Sequence, residues 1–156
     1  MFSIAVQPPS QARTRRTLYP PIIAKGRAAS TTTEADVYFM FATAVLRDAE
    51  GNLLTEALAG TLSASGMFLE ERRAGNVVFM FPDLVVPESG AYSVRVDIYK
   101  LDCTGQGAVL VDQAETQTFE VYDSDVPSER PCKSLPPGKS ALAPGLLLVY
   151  RFRGNC

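Results

Sequence analysis

Hydrophobic and polar positions alternate most clearly between Asn76 and Lys100, and the rest of the chain can be placed around that stretch. Val77, Val78, Phe79, Met80 and Phe81 form an almost wholly apolar run bounded by Gly75 and by Pro82-Asp83. Pro87-Glu88-Ser89-Gly90 then supplies turn chemistry, because proline fixes φ while glycine tolerates the positive φ that tight turns often need. Beyond it Tyr92, Val94, Val96 and Ile98 alternate with Ser93, Arg95, Asp97 and Tyr99. A period of two places an apolar row on one face of a strand and a polar row on the other. A run buried on both faces, followed by a half-buried strand, predicts an all-β fold of β-sandwich type.

The same reading places further elements along the chain. Phe2 to Val6 is a short first strand, broken by Pro8-Pro9. Ser10 to Leu18 reads as a polar, basic loop, and Pro20-Pro21 favours extended or polyproline-like backbone. Ile22 to Ala24 re-enters a sheet, and Gly26 to Thr33 is a linker of small residues. Asp36 to Leu46 reads as one long strand with aromatics on both faces, hence central. Asp48 to Asn52 is a hairpin-type turn. Leu53 to Phe68 is a strand pair or one bent strand, with Gly60 and Gly66 at bulge or turn positions. Glu70 to Gly75 is a charged connection, and Thr104 to Gly107 joins Ser93–Leu101 to a strand at Val109–Val111. Thr118 to Tyr122 is a further strand with Phe119 and Val121 inward. About seven to nine strands with turns at roughly ten-residue spacing is the pattern of an immunoglobulin-like sandwich with short or no helices. That domain covers residues 1–122. From Asp123 onward Pro127, Pro131, Pro136, Pro137 and Pro144 punctuate an atypical segment, in which Leu146 to Phe152 is either a closing edge strand of the same domain or an exposed apolar segment.

A chain of 156 residues with 46% hydrophobic content fits one domain with a real core. Its formal net charge of -2 hides an asymmetry. No acidic residue precedes Glu34, yet Arg13, Arg15, Arg16, Lys25 and Arg27 all lie in that stretch. A basic N-terminal arm on an otherwise acidic domain is an asymmetry that calls for an explanation, and the total charge excludes neither nucleic acid nor protein partners. Cys103, Cys132 and Cys156 form no Cys-x-x-Cys pair and are odd in number, which argues against a disulfide framework. With no histidine in the chain, a zinc site is not expected. The apolar start is too short for a secretory signal, Asn52, Asn76 and Asn155 lie in no glycosylation sequon, and no apolar run approaches the ~20 residues of a bilayer span. The expectation is an intracellular soluble protein with no membrane partner.

Catalysis finds little support. Without histidine neither a Ser-His-Asp nor a Cys-His pair can be built. Adjacent Glu70 and Glu71 would point to opposite faces of a strand, and suit a solvated turn better. Asp123-x-Asp125 with Glu129 lacks the glycine and ligand count of a calcium loop, and no Gly-rich phosphate loop is present. No catalytic residue, metal, cofactor or small-molecule substrate is therefore expected. The basic residues carry the functional reading instead. Arg13, Arg15 and Arg16 sit in a proline-bounded loop, and guanidinium forks suit phosphates and guanine edges; Lys25 and Arg27 extend the set. A solvated basic arm is the bland alternative. Arg95 is expected to pair with Asp97 or a neighbouring carboxylate, Asp83 to accept backbone N–H bonds in a turn, and Tyr92 to lie in the core with its hydroxyl satisfied, in the manner of a tyrosine corner.

Several pieces in order resemble a known family. They are Pro9-Ser10-Gln11-Ala12-Arg13 with Tyr19-Pro20-Pro21, then Phe79-Met80-Phe81-Pro82-Asp83-Leu84, then Gly90-Ala91-Tyr92-Ser93-Val94-Arg95-Val96, and finally Phe119-Glu120-Val121-Tyr122. The set is similar to the velvet domain of fungal developmental regulators, over residues 3–122. The resemblance implies a Rel-homology-like β-sandwich that binds double-stranded DNA and dimerises with itself or with another velvet protein. It also implies a nuclear regulator, with a cytoplasmic pool, of development, sporulation and secondary metabolism. Two departures stand out. The loop between Arg13 and Leu18 is short where many members carry a longer basic segment, and the helix expected between Pro136-Pro137-Gly138 and Leu146–Arg153 has little room. A protein-interaction subunit of a velvet-type complex that does not itself bind DNA is the alternative reading.

Overall fold

The thirteen-residue strand Gly90–Asp102 (β9) is the longest among the described residues and runs through the middle of the larger sheet. The computed structural model describes residues 1–27, 34–71, 74–102 and 107–124. In chain order the other strands are β1 (Phe2–Val6), β2 (Gln11–Arg13), β3 (Ile22–Arg27), β4 (Met40–Asp48), β5 (Leu53–Leu54), β6 (Ser63–Ser65), β7 (Met67–Glu71), β8 (Ala74–Phe81), β10 (Gly107–Glu115) and β11 (Phe119–Tyr122). One short helix, α1 (Glu34–Tyr38), precedes β4.

Two sheets face one another, as the alternating pattern predicts. A four-stranded sheet has the order β1-β3-β8-β7, and a seven-stranded sheet has the path β2-β11-β9-β4-β5, with β10 beside β9 and β6 beside β4. The core is the interleaved inner faces: Ile22, Ala24, Val77, Phe79 and Phe81 from one sheet, and Ala42, Ala44, Leu46, Val94, Val96, Ile98, Phe119 and Val121 from the other. The apolar row of β9 faces inward, as its period of two requires. Val78 on β8 is buried as well, so that run is covered on both faces.

The strand-turn-strand stretch at Asn76–Lys100 is not a hairpin. β8 belongs to the four-stranded sheet and β9 to the seven-stranded one, so the chain between Phe81 and Gly90 crosses from one layer to the other. Two side chains secure that crossing. Asp83 accepts the Thr61 backbone N–H at 2.8 Å and the Thr61 hydroxyl at 3.0 Å. The Tyr92 hydroxyl donates to the Ser89 carbonyl at 3.2 Å, which satisfies it inside the core as a tyrosine corner does. Gly60 lies under the crossing with φ +102, and a Cβ there would meet the Asp83 carbonyl oxygen at 2.2 Å. Only glycine fits.

Three expectations are corrected. Asp36 to Leu46 is not one strand: a helical turn ends at Tyr38, Phe39 N–H bonds back to the Asp36 carbonyl at 3.2 Å, and β4 starts at Met40. Continuous apolar character cannot separate a buried helical turn from a buried strand, and Val37 is buried from the helix. Within the supposed loop Ser10–Leu18, residues Gln11–Arg13 form β2, parallel to β11, with Ala12 turned into the core. The Glu70–Gly75 connection is largely strand, since β7 runs through Glu71 and β8 begins at Ala74. The Asp48–Asn52 turn is as expected, with Gly51 at φ +87 and the Asn52 N–H held by the Asp48 carboxylate at 2.7 Å. Apart from Asp123 and Ser124, the C-terminal segment, including Leu146 to Phe152, lies outside the described residues, as does most of the Gly26–Thr33 linker.

Candidate functional site

The arginine-rich segment leaves β2 as a tight turn. The Arg16 N–H reaches back to the Arg13 carbonyl at 3.4 Å, and Arg15 adopts φ 57 at the third position. A positive φ there is the mark of a type II turn, a place normally held by glycine or asparagine. For a long side chain this left-handed conformation is costly, on the order of 1 kcal/mol. It persists because the surroundings fix it. Thr14 N–H bonds the Tyr122 carbonyl of β11 at 3.0 Å, Arg15 N–H bonds the Val86 carbonyl at 3.0 Å, and Leu18 N–H bonds the Leu84 carbonyl at 2.8 Å. Leu84 and Val86 are themselves buried parts of the crossing between the sheets. The turn is thus fastened to β11 and to the crossing, while the side chains of Arg13, Arg15 and Arg16 stand exposed.

The local electrostatics favour an anion. Three guanidinium groups leave the surface within four residues. Carboxylates on the adjoining elements keep their charge and accept bonds from neutral donors: Asp83 from Thr61, Asp123 from the Ser89 hydroxyl at 3.1 Å, and Glu120 from the Tyr122 hydroxyl. That last bond to the Glu120 carboxylate raises the Tyr122 phenol above its ordinary pKa, so it stays protonated through the neutral range. Tyr19, at the far end of the loop, is 68% exposed and precedes a cis proline at Pro20.

The five predicted basic residues do not form one patch. Arg13, Arg15 and Arg16 are brought together, but β3 carries the other two away. Ile22 enters β3 opposite Phe81, near the turn, whereas Arg27 leaves it opposite Asn76. Five residues of strand separate these ends by about 17 Å. Lys25 is half-buried between Ser3 and Val78 in that sheet, and Arg27 is exposed at its far end. Arg95 pairs with Asp97 at 2.8 Å, and Gln113 donates to the same carboxylate at 2.7 Å, so it belongs to a structural network on the outer sheet face.

Sequence reading missed two features. Tyr19 is one, although an aromatic beside basic residues is a legible sign of base or sugar contact. The exposure of Val109, Leu110 and Val111 on β10 is the other, and their unbroken apolar character hides it. Among the described residues no group of three or more histidine, cysteine, aspartate or glutamate side chains is placed to hold a metal ion. A small open cavity of about 230 Å³ is lined by Val37, Tyr38, Gly66, Met67 and Phe68.

Comparison with known proteins agrees with the motif order. The model of the velvet factor family matches residues 5–125. No curated protein sequence matches the chain. Among solved structures, "Ceramidase complexed with C2" is similar with a TM-score of 0.39 at 14% identity, over 78% of this chain and 19% of that one. The neutral ceramidase from Pseudomonas aeruginosa is similar with a TM-score of 0.40 at 13% identity, again over 78% and 19%. The chain thus spans about a fifth of those enzymes' length, and likeness at this level carries no functional meaning. The family match spans most of the chain and the two-sheet sandwich described above, and on that basis the protein belongs to the velvet factor family, a family of regulators.

Proposed function

We propose that this velvet-type regulator binds double-stranded DNA through the turn Arg13–Arg16, and that it does so as a dimer with itself or another velvet protein. The observation that carries the reading is the fastened turn, in which an arginine occupies a left-handed position normally left to glycine. Strain of this kind is kept where the surroundings over-determine it, commonly at binding sites. Preorganised guanidinium groups lose little entropy on meeting phosphates, and forks of this shape can also engage guanine edges. Lys25 and Arg27 contribute at most to the general field. On this reading the protein works in the nucleus, with a cytoplasmic pool, in the control of development, sporulation and secondary metabolism.

The test is a salt series of gel shifts with wild type and with Arg13, Arg15 and Arg16 all changed to Ala. Each phosphate contact contributes about -0.9 to the slope of log affinity against log salt. The triple variant should lose about two to three units of slope and bind at least tenfold more weakly at physiological salt. An unchanged slope would show that the turn is not the DNA surface. The alternative, a protein-interaction subunit that does not itself bind DNA, is favoured by the exposed apolar residues of β10. It predicts a wild-type chain without DNA affinity at any salt concentration.

A further inference from the structure

Among the described residues β10 is an edge strand of the seven-stranded sheet. One edge of β10 is bonded to β9, from Gly107 opposite Asp102 to Glu115 opposite Arg95. Among the described residues no strand pairs with its other edge. The first half of this strand is also apolar and exposed: Val109 is 60%, Leu110 47% and Val111 50% accessible, and Leu101, opposite Ala108, is 44%. Phe39, whose carbonyl accepts the Leu101 N–H at 2.8 Å, is exposed too. Long apolar edges are usually blunted by lysine, proline or inward charge, and Gly107 to Val111 carries none of these. A bulge between Leu110 and Asp112 shifts the register just before the first charged side chain, and the ladder with β9 then continues to Glu115.

We propose that this edge is where a second copy of the chain docks, its own β10 pairing antiparallel across a two-fold axis near Val109, so that two seven-stranded sheets join edge to edge. The proposal rests on the dimer half of the reading above and gives it a surface. The charge pattern selects the occupant. A two-fold axis near Val109 sets Gly107 against Val111 and Ala108 against Leu110, with no charge facing its like. Pairing further along the strand would bring Asp112 against Glu115 of the other copy, which is repulsive and fixes the register on the apolar half. The flanking Asp102, Asp112 and Glu115 also disfavour DNA or an anionic membrane on this edge.

The test is sedimentation equilibrium of the full chain without DNA, for wild type, Val109→Glu, Val109→Arg and an equimolar mixture of the two variants. The one site of change, Val109, is exposed, so each variant is expected to fold. Wild type should dimerise, and each single variant should dimerise at least about tenfold more weakly, because the axis sets its charge against its own copy. The mixture should recover the dimer, since Glu then faces Arg. Amide exchange on wild type should show protection of Val109 and Val111 that grows with protein concentration. A monomeric wild type would overturn the homodimer and this surface together. A wild-type dimer indifferent to Val109→Glu would overturn the surface alone and leave dimerisation standing. DNA binding has no part in either result.

Discussion

β9 and β10 lie side by side in one sheet, bonded over most of their length, and both are rich in valine and leucine or isoleucine. Their fates differ completely. Val94, Val96 and Ile98 are wholly buried against the four-stranded sheet, whereas Val109, Leu110 and Val111 are about half exposed. The difference comes from what lies opposite each strand, not from its own residues. Strand propensity is local, while burial depends on which element arrives from the other layer. An apolar strand therefore reports that something covers it. In β9 the cover is intramolecular, and in β10 we assign it to a second copy.

The sharpest way to break this comparison is to truncate one side chain on each strand. Ile98→Ala should remove about 2–5 kcal/mol of stability through its cavity, while Val109→Ala, measured where the chain is monomeric, should stay within about 0.5 kcal/mol. Urea midpoints of the two variants check this; near-equal losses would mean that β10 is part of the core. A smaller effect probes the other end of β9. Tyr92→Phe keeps the packing but removes the hydroxyl bond to Ser89, and should lower stability by about 1 kcal/mol in the same assay. The smallest effect belongs to β10. The Phe2 backbone N–H bonds the Asp112 carboxylate at 2.7 Å and holds its pKa below the ordinary 3.8. A carboxyl depressed in the folded state stabilises above its unfolded pKa and loses that contribution as pH falls through the folded value. The stability gap between wild type and Asp112→Asn should thus be present at neutral pH and close below 3.8.

Much of the sandwich was legible because its strands obey a period of two and its turns carry proline, glycine and aspartate. β9, the Asp48–Asn52 turn and the inward Phe119 and Val121 follow from such local rules. The helical turn at Glu34–Tyr38 did not, since Val37, Tyr38 and Phe39 are equally apolar in either conformation. β2 escaped because three residues with one buried alanine leave no periodic signal, and its partner β11 lies at the other end of the domain. The division of β8 and β9 between two sheets is set by long-range pairing that no local pattern records. At the candidate site the arginines were legible by type. Sequence proximity nevertheless suggested one patch of five basic residues where β3 makes two separate ones, and nothing in the residue Arg15 announces a left-handed backbone.

The parallel pairing of β2 with β11 has a consequence for how the protein comes into being. Arg13, Arg15 and Arg16 precede most of the described domain in the chain, yet the strand that anchors their turn, Phe119–Tyr122, follows most of it. The turn cannot take its final shape until Tyr122 has been synthesised and docked. A nascent chain, or a fragment cut before Phe119, carries every one of these arginines without their arrangement. The arrangement of these three arginines is in this way tied to completion of the sheet.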